Sequence, residues 1–167
     1  TREPGGTQLG QQLRRILLDH RSTQLDPFLE LLLYEASRAI LVKEKIRPAL
    51  QRGKVVIVDR FQDSTWVYQG WAGRLDLKLV EQLGQAAMGG IKPNRTILLD
   101  LPVKVGLRRV RDPNRMEAKS VRFHEKVRQG YLALARREPN RIRVIRADRP
   151  IEKVQQAIRK EVTDLLF

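Results

Sequence analysis

The sequence predicts an α/β fold in which a parallel sheet is flanked by helices. Short apolar runs are typical of buried strands at 54–59, 96–101 and 143–147. The run 54–59 is β-branched and apolar on both faces, as strands are when helices cover both sides of a parallel sheet. Longer segments with helical periodicity alternate with these runs. Such strand–helix alternation favours a doubly wound α/β domain.

The longest predicted helix begins with Asp26 as its N-cap and Pro27 at the first helical position, and it reaches about Gln51. Pro48 is expected to bend or end it. Apolar residues surround most of the helix, which predicts burial on more than one side, against its own sheet and against a second subunit. Helical spacing predicts further helices over 7–19, 75–88, about 103–109, 115–137 and 150–166.

Composition favours one globular domain and excludes several kinds of chemistry. The chain has 167 residues, of which 41% are hydrophobic and 31% charged, which is ordinary for a globular protein. It contains no cysteine, so disulfides, thiolate zinc sites and cysteine nucleophiles are excluded in these residues. Its two histidines, His20 and His124, lie far apart, and no apolar run approaches the roughly 18 residues of a membrane span. A cytoplasmic protein is expected.

The net charge of +14 predicts an anionic partner, either nucleic acid, nucleotides or an acidic surface. The alternative is a basic surface that is only solvated. Aromatic residues make up 5% of the chain, and neither a base-stacking platform nor a recognition-helix motif stands out. Nucleic acid is therefore the less favoured partner.

The strand predicted at 54–59 ends in Asp59, followed by Arg60. Ligands of α/β proteins bind at the carboxyl edge of the sheet, where this carboxylate is expected to lie. An Asp at this place in phosphate-loop proteins helps to hold Mg²⁺, and an arginine beside it can make paired hydrogen bonds to a phosphate. The alternative is a salt bridge at an exposed strand end.

Two further segments offer groups for a nucleotide. Tyr34 and Arg38 stand four residues apart on one helix face, which allows a ring to stack on a base and a guanidinium to bind its phosphate; a core tyrosine beside a surface arginine is the alternative. Glu3 precedes a Pro-Gly-Gly turn, and Arg14 lies on the helix that follows. A dense run of arginines and lysines over 108–128 is typical either of a mobile arm that closes over polyphosphate or of a solvated basic face.

Taken together, these segments resemble the thymidylate kinases of bacterial type. The matching stretches cover essentially the whole chain and occur in the family's order: TREPGGT, LLYEASR, VDRFQDSTWVYQG, GGIKPNRTILLDLPVKVGL, NRMEAKSVRFHEKVRQGYLALA and ADRPIEKV. The resemblance implies the phosphate-loop NTPase type of α/β fold, with 1–167 in a single nucleoside monophosphate kinase domain and a lid around 108–118. It also implies a homodimer that phosphorylates dTMP to dTDP, with ATP as co-substrate and Mg²⁺.

The resemblance also implies roles for single residues. Tyr34 would stack on thymine, and Arg38 would contact the base and its phosphate. Arg60 would bind the acceptor phosphate, and Asp59 would serve the metal. Phosphoryl transfer needs positioning and cations rather than a nucleophilic side chain, because the acceptor phosphate oxygen attacks.

The remaining implied roles concern the sugar, the base edge and the lid. Ser64 and Thr65 would read the edge of thymine, and Tyr68 would crowd the 2′ position of the sugar. The same pocket would be lined by Glu3, Arg14 and Gln69. The lid would supply the catalytic arginine, for which the candidates are Arg109, Arg111 and Arg115.

One part of the family pattern does not occur in these residues. No GxxxxGK[ST] sequence is present, and the family's first strands and phosphate loop should precede TREPGG. We expect the natural protein to extend upstream by about one strand–helix–strand unit, because the 1–167 segment by itself is not expected to hold ATP productively. Two alternatives stay open: a basic α/β module that binds nucleic acid, and a kinase relative that binds nucleotide without transfer.

Overall fold

The computed structural model describes residues 1–22 and 24–166. The described chain divides into two compact units. The first comprises Thr1–Lys92 together with Asn114–Ala118, and the second comprises Pro93–Pro113 together with the chain from Lys119 onward. None of the helices in the described residues combines the length and the apolar character needed to cross a bilayer.

The first unit is helical, and its longest helix begins after the capping residue that the sequence predicts, Asp26. Thr7 caps α1 (Gln8–Leu18) by accepting a hydrogen bond from the Gly10 amide, and Asp26 caps α2 (Pro27–Leu41) by accepting one from the Leu29 amide. Pro27 occupies the first turn of α2, as predicted. The regular helices of this unit are α1 (Gln8–Leu18), α2 (Pro27–Leu41), α3 (Arg47–Gln51), α4 (Gln62–Thr65) and α5 (Leu77–Met88).

Two stretches of wider, π-helical turns interrupt this pattern. The first, Val42–Ile46, joins α2 to α3, so the predicted helix does run to Gln51. It ends two residues before Pro48, which has no amide to donate to the preceding turn. The second stretch, Trp66–Ala72, continues α4. The sequence analysis assigned no element to this region.

The prediction of a buried strand at 54–59 is wrong for the described residues. The segment is extended, but its pairing is limited to residues 1–3: the Asp59 amide donates to Thr1 O (3.0 Å), and the Glu3 amide donates to Asp59 O (2.9 Å). Val55 is 66% exposed and Ile57 78% exposed. A strand needs a neighbour along its length to be hydrogen-bonded and covered, and residues 1–3 reach only its end.

The core of the first unit forms where the helices meet. Val42 and Ile46 pack with Leu41, and Val56, Val58, Phe61 and Ile91 pack against them. The fully buried apolar side chains of this unit are Leu17, Leu31, Leu41, Val67 and Val80. They fix α1, α2, α5 and the Trp66–Ala72 turns against one another.

The second unit contains the parallel strands that the sequence predicts. Strand β1 (Thr96–Asp100) pairs in parallel with β2 (Ile142–Arg146), with Thr96 opposite Ile142. Arg128 binds the carboxylate of Asp100 at the end of β1, with distances of 2.7 and 2.9 Å. The helices of this unit are α6 (Val103–Arg109), α7 (Val121–Arg137) and α8 (Ile151–Leu166).

The start of α7 differs from the prediction of a helix over 115–137. Ser120 caps the helix by accepting a hydrogen bond from the Phe123 amide, so α7 begins at Val121. Residues 114–118 form a separate turn organised by Asn114, whose side chain accepts from the amides of Met116 and Glu117. An Asn side chain that bonds to the backbone in this way competes with helix formation.

Candidate functional site

A cavity of about 290 Å³ lies within the first unit. Its wall combines the loop after Thr1, helices α1 and α2, the segment that follows Asp59, and the turn 114–118. Ten residues that the sequence analysis singled out, far apart along the chain, line it together: Glu3, Arg14, Tyr34, Arg38, Asp59, Arg60, Ser64, Thr65, Tyr68 and Gln69.

Arg38 is the centre of a buried polar network at this wall. The side chain is only 1% exposed. Its Nε donates to Glu3 Oε2 (2.8 Å) and its Nη2 to Thr65 Oγ1 (2.9 Å), while Nη1 lies 2.7 Å from Glu35 Oε2. A buried guanidinium with several fixed partners is held in one position, so it supports the cavity wall and does not act as a mobile side chain.

Gln62 ties this network to α5. Its amide oxygen accepts from Arg38 Nη1 (2.5 Å), and its nitrogen donates to Val80 O (3.2 Å). A Cβ added at Gly84 would clash with the amide nitrogen of Gln62. Gly84 therefore permits the close approach that braces Arg38 against α5.

Glu3 is buried beside Arg38, and burial raises its pKa from 4.5 to about 7 even though the Arg38 guanidinium opposes the change. Its Oε1 atom has no hydrogen-bond partner in the described part of the chain. Burial likewise raises the pKa of Glu35, again against the effect of Arg38. Two carboxyl groups share one guanidinium here, so ionisation of both would leave the network with excess negative charge.

The raised pKa of Glu3 predicts that stability falls as the pH rises from about 4.5 to 7. A folded-state pKa above the unfolded value means that the folded state holds the proton more tightly. The stabilisation is complete below pH 4.5 and is lost as the pH passes through 7, on the order of 3 kcal/mol if Glu3 titrates independently. Urea unfolding from pH 4.5 to 8 measures the effect. In Glu3→Gln the fall is expected to be shallower, and an identical fall in both proteins would contradict the assignment to Glu3.

Cationic groups gather at another part of the wall. The pKa of Arg14 is lowered, first by burial and then by Arg2, with Arg60 adding to the effect. Arg14 Nη1 donates to Pro4 O (3.0 Å), which fixes its guanidinium at the cavity. An anion that binds among guanidinium groups offsets the repulsion between them, so this part of the wall favours a negatively charged ligand.

Arg60 has an unusual backbone conformation. Its φ of +63° lies in the left-handed region, which is uncommon for a side chain with a Cβ. The Arg60 guanidinium carbon lies 5.3 Å from the centre of the Tyr68 ring, within range of a cation–π interaction. The backbone and the ring therefore both constrain the direction of this guanidinium.

Tyr34 stays a neutral phenol at physiological pH. Burial raises its pKa to about 12, and the nearby Glu30 carboxylate adds to the increase. The ring lines the cavity. An aromatic face of this kind is suited to stacking on a planar base.

Gln69 and Arg115 meet at a buried carboxylate, that of Glu30. Glu30 Oε2 accepts from Gln69 Nε2 (2.7 Å), and Oε1 lies 2.8 Å from Arg115 Nη1. Arg115 Nε also donates to Leu17 O (2.9 Å). The predicted lid arginine Arg115 is thus engaged by α1 and α2.

The other two predicted lid arginines belong to the second unit. Arg109 donates to Ala147 O there at 3.4 Å, and Arg111 is exposed. Their assignment as catalytic residues stays a prediction.

Several residues of the site were not singled out from the sequence. They are Pro4, Leu18, Phe61, Asn114, Met116 and Glu117 in the cavity wall, and Glu30, Glu35 and Gln62 behind it. A signal was available for two of them. Glu30 and Glu35 are carboxylates on the predominantly apolar helix α2, and such residues are rarely buried unless they are paired.

A family model described as thymidylate kinase matches residues 1–158. The chain belongs to the thymidylate kinase family. The thymidylate kinase of Symbiobacterium thermophilum is 48% identical over 168 residues, which cover 99% of this chain and 78% of the relative. That of Syntrophotalea carbinolica is 50% identical over 163 residues, which cover 92% of this chain and 76% of the relative.

A solved structure supports the same family and its fold. The crystal structure of thymidylate kinase from Ehrlichia chaffeensis matches with a TM-score of 0.77 and 32% identity, over 97% of this chain and 78% of that one. The predicted α/β fold of phosphate-loop NTPase type is confirmed. Thymidylate kinases are nucleoside monophosphate kinases, so the chain is an enzyme of the phosphotransferase class.

Proposed function

We propose that the protein transfers a phosphoryl group from ATP to dTMP, giving dTDP for dTTP synthesis, and that the cavity is its dTMP site. One observation carries the proposal: a single cavity brings together ten residues that the family resemblance assigns to dTMP and its metal. The cavity joins a cationic part to an aromatic and amide part, which matches a phosphate joined to a base.

Arg60 and Arg14 bind the acceptor phosphate in this proposal. Both line the cavity, and neighbours constrain both guanidinium groups. Guanidinium groups suit a phosphate because they donate paired hydrogen bonds and keep their charge. Their fixed directions reduce the reorganisation that binding and transfer need.

The base and sugar lie between Tyr34 and the segment 64–69. Tyr34 stacks on thymine, Ser64 and Thr65 face its edge, Tyr68 crowds the sugar 2′ position, and Gln69 contributes an amide. All of them line the cavity. Arg38 and Glu3 hold this wall from within, because Arg38 binds Thr65 and Glu3 together.

The residues present fit a Mg²⁺ ion that is held mainly by phosphate and water. The described residues contain no cluster of three or more carboxylates and histidines suited to a metal. Magnesium in kinases commonly uses only one or two carboxylates, with phosphates and waters as its other ligands. Asp59, exposed at the cavity wall beside Arg60, would be such a carboxylate. The ion would neutralise charge on the phosphates.

Arg109 and Arg111 are the favoured candidates for the catalytic arginine of the lid. The guanidinium of the third candidate, Arg115, is engaged by Glu30 and Leu17. We also propose that 1–167 belongs to one kinase domain with its lid around 108–118, in a cytoplasmic enzyme. One family model runs through both compact units, which supports the single domain.

A coupled assay of the full-length protein with ATP, Mg²⁺ and dTMP tests the proposed function. Formation of dTDP, and a rise in melting temperature with dTMP alone, are the expected results. Binding of dTMP without turnover would indicate the inactive relative. Preference for single-stranded DNA over dTMP would favour the nucleic-acid-binding alternative.

We propose that the protein is a homodimer through the helical region 26–51. On α2, Phe28, Leu29 and Leu32 are each about 40% exposed or slightly more, and Ala36 is exposed on the same helix. Exposed apolar residues clustered on one helix are typical of an interface. In the proposed dimer, the partner subunit covers the apolar side of this helix that is exposed in the single chain.

Replacing Leu32 with arginine is expected to convert the dimer to a monomer, because a desolvated charge in the centre of an apolar interface costs several kcal/mol. Sedimentation velocity over a concentration series measures the change. Val121→Arg, which places the same charge at an exposed apolar residue on α7, is the control and is expected to stay dimeric. A Leu32→Arg protein that remains dimeric would move the interface elsewhere.

A further inference from the structure

We propose that Glu30, which does not itself line the cavity, is a positioning residue that makes the site selective for a pyrimidine with a donor at N3. The proposal rests on the proposed function. Glu30 is 1% exposed, in the first turn of α2. Each of its two oxygens has a different partner across the fold, Gln69 on one side and Arg115 on the other.

The contact with Glu30 fixes which way the Gln69 amide faces. An ionised carboxylate only accepts hydrogen bonds, so it must receive the amide nitrogen and not the amide oxygen. Gln69 Nε2 lies 2.7 Å from Glu30 Oε2. The nitrogen is thereby turned toward Glu30, and the amide oxygen is the group that Gln69 can present to a ligand in the cavity it lines. Arg115 Nη1 lies 2.8 Å from the other carboxylate oxygen and forms an ion pair with it.

An amide oxygen with a fixed direction discriminates between pyrimidines. Thymine and uracil carry an N–H donor at N3, whereas cytosine has an unprotonated, accepting nitrogen there. An acceptor facing N3 binds the first two and leaves two lone pairs opposed in the third. Sites built to meet a hydrogen-bonding group reject ligands that lack it more strongly than apolar pockets reject a change of size.

The second oxygen of Glu30 holds another part of the same wall. Arg115 reaches it from the turn 114–118, which also bonds to α1 through the Arg115 amide and Leu18 O (3.2 Å). Asn114, Met116 and Glu117 of this turn line the cavity. Loss of the Glu30 charge therefore removes one anchor of the turn together with the contact that directs the Gln69 amide.

Isothermal titration of the full-length protein with dTMP and with dCMP tests the proposal. In Glu30→Gln the new side chain can present either an oxygen or a nitrogen, so Gln69 is free to turn over. We expect the ratio of dTMP to dCMP affinity to fall at least tenfold. Glu138→Gln, which neutralises a carboxylate paired with Arg141 in the second unit, is expected to keep the wild-type ratio.

A purely structural role for Glu30 would weaken both ligands equally and leave that ratio unchanged, and this result would overturn the proposal. If the single variant does not fold, the double variant Glu30→Gln, Arg115→Gln also removes the buried charge of Arg115 that would otherwise be unpaired. The same affinity ratio is then measured on the double variant. In a Gln69→Ala background, Glu30→Gln is expected to leave the ratio unaltered; a further tenfold fall there would place the selectivity elsewhere. Absence of dTMP binding by the wild-type protein is a distinct result that would overturn the proposed function itself.

Discussion

Replacing Arg60 with alanine is expected to weaken dTMP binding about 10- to 100-fold, because hydrogen bonds to a charged group contribute about 1.5–3 kcal/mol. The structure places this guanidinium at the cavity wall, over the Tyr68 ring. Stability should change little, since Arg60 is exposed and alanine has the same Cβ in the left-handed region. Titration calorimetry and urea unfolding measure the two quantities.

Arg74 provides a matched control for this experiment. It is also an exposed arginine with a left-handed backbone, with a φ of +64°, and it is not among the cavity residues. Arg74→Ala is expected to bind dTMP as the wild type does. Arg60→Gly and Arg74→Gly each remove the strain of a left-handed backbone conformation, which amounts to about 1 kcal/mol. Only Arg60→Gly is expected to lose affinity for dTMP. Wild-type binding by Arg60→Ala would remove Arg60 from the site.

Replacing Arg38 with methionine is expected to lower the free energy of unfolding by about 3–5 kcal/mol, the largest loss of stability predicted for this protein. The substitution leaves Glu3 and Glu35 buried without their shared guanidinium. Both carboxylates then titrate at still higher pKa values. The stabilisation that comes from protonating these two groups is lost as the pH rises. The loss of unfolding free energy relative to wild type should therefore be larger at pH 8 than at pH 5. Urea unfolding at both values measures it.

Two variants separate the buried network from an ordinary ion pair. Arg128→Met breaks a half-exposed pair with Asp100 and is expected to cost no more than about 1 kcal/mol. The triple variant Arg38→Met, Glu3→Gln, Glu35→Gln carries no buried charge in the network, and we expect it to recover part of the loss. If Arg38→Met were as stable as Arg128→Met, the network would not be a source of stability.

The sequence predicts more of the proposed dTMP site than of the network behind it. Asp59, Arg60 and Tyr34 stand in short motifs whose residue types suit phosphate and base, and the structure brings them to one cavity. The sequence does not predict the burial of Arg38. A tyrosine and an arginine four residues apart on a helix are equally compatible with an exposed pair that binds a ligand. Its setting depends on Glu3, 35 residues away, and on Thr65, 27 residues away.

Local chemistry by itself determined where α1 and α2 begin. Thr7 and Asp26 cap helices because their side chains reach amides three residues on, and such contacts need no tertiary partner. Only the tertiary structure decided the role of Glu30, the engagement of Arg115, which donates to a carbonyl 98 residues away, and the weak pairing of 54–59. The physical reason is common to all three. Burial of a charge and pairing of a strand both depend on partners that approach from distant parts of the chain.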